Sequence, residues 1–214
     1  MMMKKCSVAL CLAAVLAPAA ASAHQAGDVI VRAGAATVRP TTSSDNVLGL
    51  GEFNVDNNTQ LGLTFGYMAT DNIGIELLAA TPFRHKVSLG GLGNIATVHQ
   101  LPPTLMAQWY FGRAEDKLRP YLGVGVNYTT FFNNSFDQNA TSLGLHDLKA
   151  TDSWGVAGQA GLDYMVSENW MINASVWYIN IDTKVKFRDS SDNQHSINTN
   201  INPWVFMFGA GYRF

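Results

Sequence analysis

Residues 60–67 read Gln-Leu-Gly-Leu-Thr-Phe-Gly-Tyr, and this stretch decides the fold class. Its large apolar side chains occupy every second position, and small or polar residues occupy the positions between them. Strict alternation with a period of two predicts a β-strand with one apolar face and one small or polar face. The same alternation recurs at 121–132, 153–164 and 204–214. The chain is therefore predicted to be all-β.

The complete pattern predicts eight strands. They cover residues 28–39, 58–68, 73–83, 97–111, 120–132, 151–164, 170–185 and 198–214. Three connections are short, namely 69–72, 112–119 and 165–169. Four segments between or within the predicted strands are read as long polar loops, near 40–57, 84–96, 133–150 and 186–197. Short turns at one end and long loops at the other are typical of an outer-membrane barrel, and a soluble up-and-down barrel is the alternative.

The distribution of charge favours the membrane barrel. One face of the strands carries no charged residue at the strand centres, as Leu63, Leu105 and Val124 illustrate. A charge on the lipid face costs about 2–4 kcal/mol at the bilayer midplane, so lipid requires this separation. The fold class predicted is an eight-stranded antiparallel up-and-down transmembrane β-barrel, with outer-membrane lipid as its surroundings.

Composition excludes other classes of protein. Only 14% of the 214 residues are charged, and the formal net charge is −2. This balance offers no basic surface for DNA or RNA, so no nucleic-acid partner is expected.

The first residues have the features of a secretory signal peptide. Lys4 and Lys5 precede an apolar run over residues 7–17, and Ala21-Ser22-Ala23 supplies the small residues of a cleavage site. Residues 1–23 are therefore predicted to be removed, which leaves residues 24–214 as a single barrel domain. Both cysteines of the chain lie in the signal peptide, so no disulfide is expected in the barrel.

Four stretches resemble the outer-membrane protein W family: Asn57–Phe83, Leu101–Gly112, Arg119–Phe132 and Asn202–Phe214. The resemblance implies an eight-stranded barrel in the outer membrane of a Gram-negative cell. It also implies a narrow apolar interior and a role in the passage of small hydrophobic compounds. The terminal Phe214 is similar to the signal that the barrel-assembly machinery reads, which makes that machinery an expected partner during biogenesis.

Charged residues on the inward face predict a closed floor. Arg32, Glu76, Asp163 and Arg213 all lie within about four strand positions of the short-turn end. Unpaired charges in a narrow lumen are costly, so two positive and two negative groups in one layer are expected to pair. The resulting network is predicted to close the periplasmic end to axial flow.

Above this floor the inward face becomes apolar. Leu78, Met106 and Trp177 are predicted to share one level of the lumen and to form a gate or a contact for an oily ligand. The alternative is that these bulky side chains only fill space, because small barrels are usually packed.

Prolines predict where an apolar ligand leaves. Pro82 in the third predicted strand and Pro102 and Pro103 in the fourth lie at similar height. Each proline removes a hydrogen-bond donor from the ladder, so the hypothesis is a lateral opening between these two strands. The alternative is a harmless bulge at the strand ends.

The function predicted is a narrow apolar channel or binding conduit for small hydrophobic molecules. The alternative is a surface receptor or structural barrel whose loops dock a bacteriocin, a phage or a host surface. No pair among the five histidines has metal-ligand spacing, and no phosphate-binding or nucleophile-elbow motif is present in the sequence. The expectation is therefore a protein that is not an enzyme and has no cofactor.

Overall fold

The wall of the molecule is a ring of eight antiparallel strands. The computed structural model describes residues 24–214, and the predicted signal peptide lies outside these residues. The wall strands are β1 (Val29–Arg39), β2 (Asn58–Met68), β3 (Ile73–Ala80), β4 (Thr104–Tyr110), β5 (Leu118–Phe136), β6 (Ser153–Met165), β7 (Trp170–Ile179) and β8 (Trp204–Arg213).

Each wall strand pairs with the next one along the chain, and β8 pairs with β1 to close the ring. In this closing seam Ile30 faces Arg213 and Arg39 faces Trp204. Closure satisfies the backbone hydrogen bonds of every wall strand, because no edge is left. The predicted eight-stranded antiparallel up-and-down barrel is confirmed.

Shorter strands extend the barrel at the end opposite the short turns. Within residues 24–214 these strands are Ser43–Ser44, Phe53–Val55, Phe83–Leu89, Asn94–Leu101, His146–Ala150, Asp182–Arg188 and Gln194–Asn200. A 3₁₀ turn at Gly90–Leu92 and one helical turn at Gln138–Thr141 complete the extension. No helix among the described residues is long and apolar enough to cross a membrane.

The prediction of long polar loops is wrong for much of 84–96, 133–150 and 186–197, because these segments contain paired strands. In Phe83–Leu89, every second side chain is buried, and Arg84 and Lys86 between them are exposed. A strand that has left the lipid is free to carry charge on its outer face. The alternation is present in the sequence, but the charged residues at the outward positions make the segment resemble a polar loop.

The outer face of the wall is apolar. Val124, Val156 and Phe208 are between 65% and 71% exposed. Trp109 and Trp170 are exposed near the short-turn end of the wall, and other aromatic residues lie close to them in the sequence. Aromatic residues at both ends of an apolar belt are the arrangement that the two interfaces of a bilayer favour.

Candidate functional site in the barrel interior

Arg32 is the centre of a polar layer near the short turns. Its Nη1 donates to Glu76 Oε2 at 2.7 Å, its Nε donates to Asp163 Oδ1 at 3.1 Å, and its Nη2 donates to the hydroxyl of Tyr110 at 2.8 Å. All four side chains are buried. We call Arg32, Glu76 and Asp163 with their hydrogen-bond partners the floor network.

Every carboxylate oxygen of the floor network accepts a hydrogen bond. Gln159 Nε2 donates to Glu76 Oε1 at 2.8 Å, Asn173 Nδ2 donates to Asp163 Oδ1 at 2.8 Å, and His24 Nε2 lies 2.9 Å from Asp163 Oδ2. A buried ion pair is stable only when its remaining lone pairs are satisfied in this way. The network therefore closes this end of the lumen with groups that hold one another.

Arg119 seals the same end from below. Its guanidinium donates to the backbone carbonyls of Phe111 at 2.9 Å, His24 at 3.2 Å and Asp71 at 2.7 Å. The buried guanidinium of Arg119 therefore holds together carbonyl oxygens of the turns and of the first described residue.

Arg213, the fourth charge predicted for this layer, lies nearer the short turns than Arg32. Arg213 Nη1 lies 3.5 Å from Asp28 Oδ2, so it forms an ion pair at the rim. The register explains this position: Arg213 faces Ile30 across the seam, whereas Arg32 faces Gly211. Alternation placed Arg213 on the correct face of β8 but one layer too far into the lumen.

His24 is the member of the floor network that no sequence pattern predicts. It precedes β1 by five residues, so no strand periodicity assigns it a face. Its ring is nevertheless fully buried and packs edge-on against Tyr110, with 5.2 Å between the ring centroids. Tyr110, by contrast, follows the inward alternation of β4, and the pattern that predicts an inward Met106 predicts an inward Tyr110 as well.

Leu78, Met106 and Trp177 lie together in one apolar cluster above the floor network. Their exposed fractions are 4%, 1% and 0%. We call these three residues the gate cluster. Its neighbours from β1, β7 and β8 also point inward, namely Val38, Ile179, Val205 and Met207. The lumen at this level is filled by side chains, as expected for eight strands.

Trp177 brings an unusual polar atom into this cluster. Its indole Nε1 has no hydrogen-bond acceptor among the described residues, and neither has Thr64 Oγ1 a partner. A buried donor without a partner costs about 1–3 kcal/mol. Trp177 therefore holds an indole N–H without an acceptor inside the gate cluster.

An apolar cavity of about 50 Å³ lies above the gate cluster, within the extension. Its lining is almost entirely hydrocarbon, for example Val87, Phe131 and Val185. Four buried polar residues also line it, namely His85, Gln100, Thr183 and Thr199. This is the part of the lumen that offers an apolar molecule a place to bind.

His85 is held by both ring nitrogens. Its Nδ1 lies 2.6 Å from the carbonyl oxygen of Asp56, and its Nε2 lies 3.1 Å from Gln100 Nε2. A carbonyl accepts and an amide NH₂ donates, so these contacts require a neutral ring with its proton on Nδ1. Burial lowers the pKa of His85, although its hydrogen bond to Asp56 acts in the opposite direction.

The pairing between β3 and β4 is interrupted at the place where the prolines predict a lateral opening. The last residue pair of β3 with β4 is Leu78 with Thr104, and the next pair in this direction is Phe83 with Gln100. Pro82, Pro102 and Pro103 lie between these two pairs, outside any strand. A void of only about 10 Å³ lies inside the interruption, beside the gate cluster, so the structure shows this part of the wall filled.

Within residues 24–214, no group of three His, Cys, Asp or Glu side chains is arranged to hold a metal ion. The buried polar groups of the floor network form hydrogen bonds with one another, and none of them lines the apolar cavity in the extension.

Comparison with known proteins agrees with this architecture. The family model described as OmpW family matches residues 25–214. Outer membrane protein W from Salmonella typhi is 60% identical over 213 residues, which cover 99% of this chain and 100% of that protein. The crystal structure of the outer membrane protein OprG from Pseudomonas aeruginosa superposes with a TM-score of 0.85 at 45% identity, covering 90% of this chain and 98% of that one.

A more distant relative has a name that refers to metabolism. The dibenzothiophene metabolism operon protein PahQ of Pseudomonas aeruginosa is 29% identical over 132 residues. The match covers 59% of this chain and 58% of that protein.

Proposed function

Because the chain belongs to the OmpW family of Gram-negative outer-membrane β-barrels, we propose that it is a narrow conduit for small hydrophobic molecules that enter from outside the cell. One observation carries the proposal. The lumen is apolar from the gate cluster to the cavity in the extension, and it ends below on the closed floor network. A relative named for an operon of dibenzothiophene metabolism supports the same class of molecule, since dibenzothiophene is apolar. We assign the protein no catalytic role.

Binding follows from the lining of the cavity. Each square ångström of apolar surface that leaves water contributes roughly 25 cal/mol, so a hydrophobic solute gains free energy by entering. The cavity of about 50 Å³ holds only part of such a solute, and side chains must move to admit the rest. Met106 is suited to this movement, because an unbranched thioether side chain adapts its shape readily.

The exit is lateral in this proposal, through the interruption at Pro82, Pro102 and Pro103. The floor network blocks the axial route with ion pairs whose separation would leave unpaired charge in the lumen. At the interruption, by contrast, no β3–β4 ladder bond has to break between the Leu78–Thr104 and Phe83–Gln100 pairs. The solute would pass from the gate cluster into the membrane.

Uptake of graded hydrophobic solutes into liposomes tests the gate cluster. Trp177→Ala combined with Leu78→Ala removes two of its three side chains, and we expect faster uptake. Trp154→Ala is the control, because Trp154 lies on the lipid face and is 74% exposed. Uptake that is equal in wild type and in the double variant, with both folded, contradicts the gate.

A reversible cross-link tests the lateral route. Thr81 and Leu101 each lie three residues beyond the Leu78–Thr104 pair on the two neighbouring segments, so a thiol bridge between cysteines placed there spans the interruption. We expect uptake to stop when the bridge forms and to return on reduction. Cysteines at Thr37 and Thr59 are the control, because these residues already face each other with hydroxyls 2.9 Å apart. Full uptake with the first bridge closed would refute lateral exit.

A further inference from the structure

Three lysines lie side by side on the outer surface of the extracellular extension. Lys149 faces Lys186 directly where His146–Ala150 pairs with Asp182–Arg188. Lys184 is two residues before Lys186, so it points to the same side of the sheet. We call these three residues the lysine patch. Among the described residues, none of the three has a carboxylate within ion-pair distance.

The patch is electrostatically unfavourable in the protein alone. Like charges directly opposite each other on neighbouring strands are destabilising. The next cation on the same strand, Arg188, is treated differently: its Nη1 lies 3.1 Å from Asp192 Oδ1 and its Nε lies 3.7 Å from Asp147 Oδ2. A polar recess of about 320 Å³ lies beside these groups and is lined by both Lys149 and Lys186. The carboxylate in this lining, Asp147, pairs with Arg188 and not with the lysines.

The patch lies just above the boundary of the membrane. The amide of Thr151 donates to the carbonyl of Lys184 at 3.1 Å, which puts these two residues at the same height. Trp154, three residues below Thr151, is exposed and packs on Tyr128 with 4.8 Å between the ring centroids. Exposed Trp and Tyr residues mark the level where hydrocarbon meets headgroups. At about 3.3 Å per residue, the lysine patch begins roughly 10 Å above that level.

We propose that the lysine patch binds the phosphate groups of the phosphorylated glycolipid of the outer leaflet. A lysine ammonium binds phosphate as a point charge, and the cross-strand pair of Lys149 and Lys186 presents two such charges to one anionic group. Asp182 lies on the wall side of Lys184 on the same strand face, so we assign the phosphate to the pair of Lys149 and Lys186, which is farther from this carboxylate. This inference does not depend on what passes through the lumen.

The opposite side of the barrel provides a matched control. Arg84 and Lys86 alternate on the outer face of Phe83–Leu89, the segment that continues β3, as Lys184 and Lys186 do on the segment that continues β7. Strands β3 and β7 are four apart in the ring of eight. Arg84 faces His99 and Lys86 faces Thr97, so neither has a lysine across from it.

Binding of lipid A that carries two phosphates, measured on the whole purified barrel in uncharged detergent with EDTA, tests the proposal. A cation near an anionic lipid surface contributes roughly a fivefold gain in affinity, so Lys184→Gln with Lys186→Gln should weaken binding about 30-fold. Arg84→Gln with Lys86→Gln removes the same charge and should change binding less than about threefold. The mobility of unheated samples on gels establishes that both variants are folded.

Three results would overturn the proposal. The first is an equal loss of affinity in the two double variants, which makes net charge and not the patch responsible. The second is binding of dephosphorylated lipid A or neutral phosphatidylcholine to wild type as tight as that of the two-phosphate form. The third is complete displacement of lipid A by millimolar inorganic phosphate, which makes free phosphate the ligand. A loss confined to the Lys184 and Lys186 variant and to phosphorylated lipid supports it.

Discussion

Arg32 is the single residue on which the floor network depends. It bonds to Glu76, Asp163 and Tyr110 at once, so its removal leaves two buried carboxylates without their cation. We predict that Arg32→Ala lowers the free energy of unfolding by about 3–5 kcal/mol, the range for breaking one partner of a buried pair. Urea titration of the barrel in vesicles, followed by tryptophan fluorescence, measures the change.

An exposed arginine provides the comparison for Arg32. Arg113 lies in a short turn with its side chain 82% exposed, and its Nη2 is 3.7 Å from Asp116 Oδ1. Exposed pairs of this kind contribute at most about 1 kcal/mol, so Arg113→Ala should leave the unfolding curve nearly unchanged. Equal effects of the two substitutions would show that the floor network does not stabilise the barrel.

His85 predicts a pH dependence in the extension. Burial lowers its pKa in the folded protein below the ordinary value of 6.5. As the pH falls below 6.5, the unfolded chain takes up a proton that the folded chain refuses, so stability decreases with acidification. Protonation also places an N–H of His85 against the amide donor of Gln100.

His85→Asn tests this dependence, because its amide retains a donor for the carbonyl of Asp56 but does not titrate. The melting temperature of wild type should fall more than that of the variant between pH 7.5 and pH 5.5. Carboxylates contribute to the acid sensitivity of both proteins. The difference between the two melting-temperature shifts therefore reports on His85. Parallel pH profiles would contradict the assignment.

At the scale of elements, the seam between β1 and β8 requires glycine. Gly34 faces Gly209, and a Cβ added to Gly34 would clash with the carbonyl oxygen of Phe208 and lie 2.7 Å from the Cα of Gly209. We predict that Gly34→Ala forces the first and last strands apart and destabilises the barrel by about 1–3 kcal/mol. Gly158→Ala is the control, since a Cβ there has no neighbour within 4 Å. The folded fraction after refolding in detergent, read from gel mobility, measures both.

The strands show how far the sequence predicts this fold. Alternation located all eight wall strands, because lipid forces every outward position at mid-wall to be apolar. Above the lipid that constraint ends, and Phe83–Leu89 was read as a loop although it alternates as regularly as β2. Alternation assigns a face and not a depth, which is why Arg213 was placed one layer too far inward. His24 lies outside any strand and enters the site only through the fold of the whole ring.

At the scale of the whole molecule, the interior consists of two layers with different chemistry. The floor network is polar and closed by ion pairs, and the gate cluster with the cavity above it is apolar. An apolar molecule that entered the floor network would break hydrogen bonds there without replacing them. Its entry into the floor would therefore cost free energy. The layers should therefore be separable by substitution.

Neutralising the floor without emptying it tests this separation. Arg32→Met, Glu76→Gln and Asp163→Asn together keep side-chain volume and remove all three charges, and replacement of a whole buried ion network is often neutral for stability. If molecules leave through the wall at Pro82 and Pro102, liposome uptake of hydrophobic solutes should equal that of wild type. An axial route makes the opposite prediction, because a floor without ion pairs opens more easily and uptake should rise. Cross-linking Thr81 to Leu101 in the same neutral barrel decides between them: uptake that persists there passes through the floor, and uptake that stops passes through the wall.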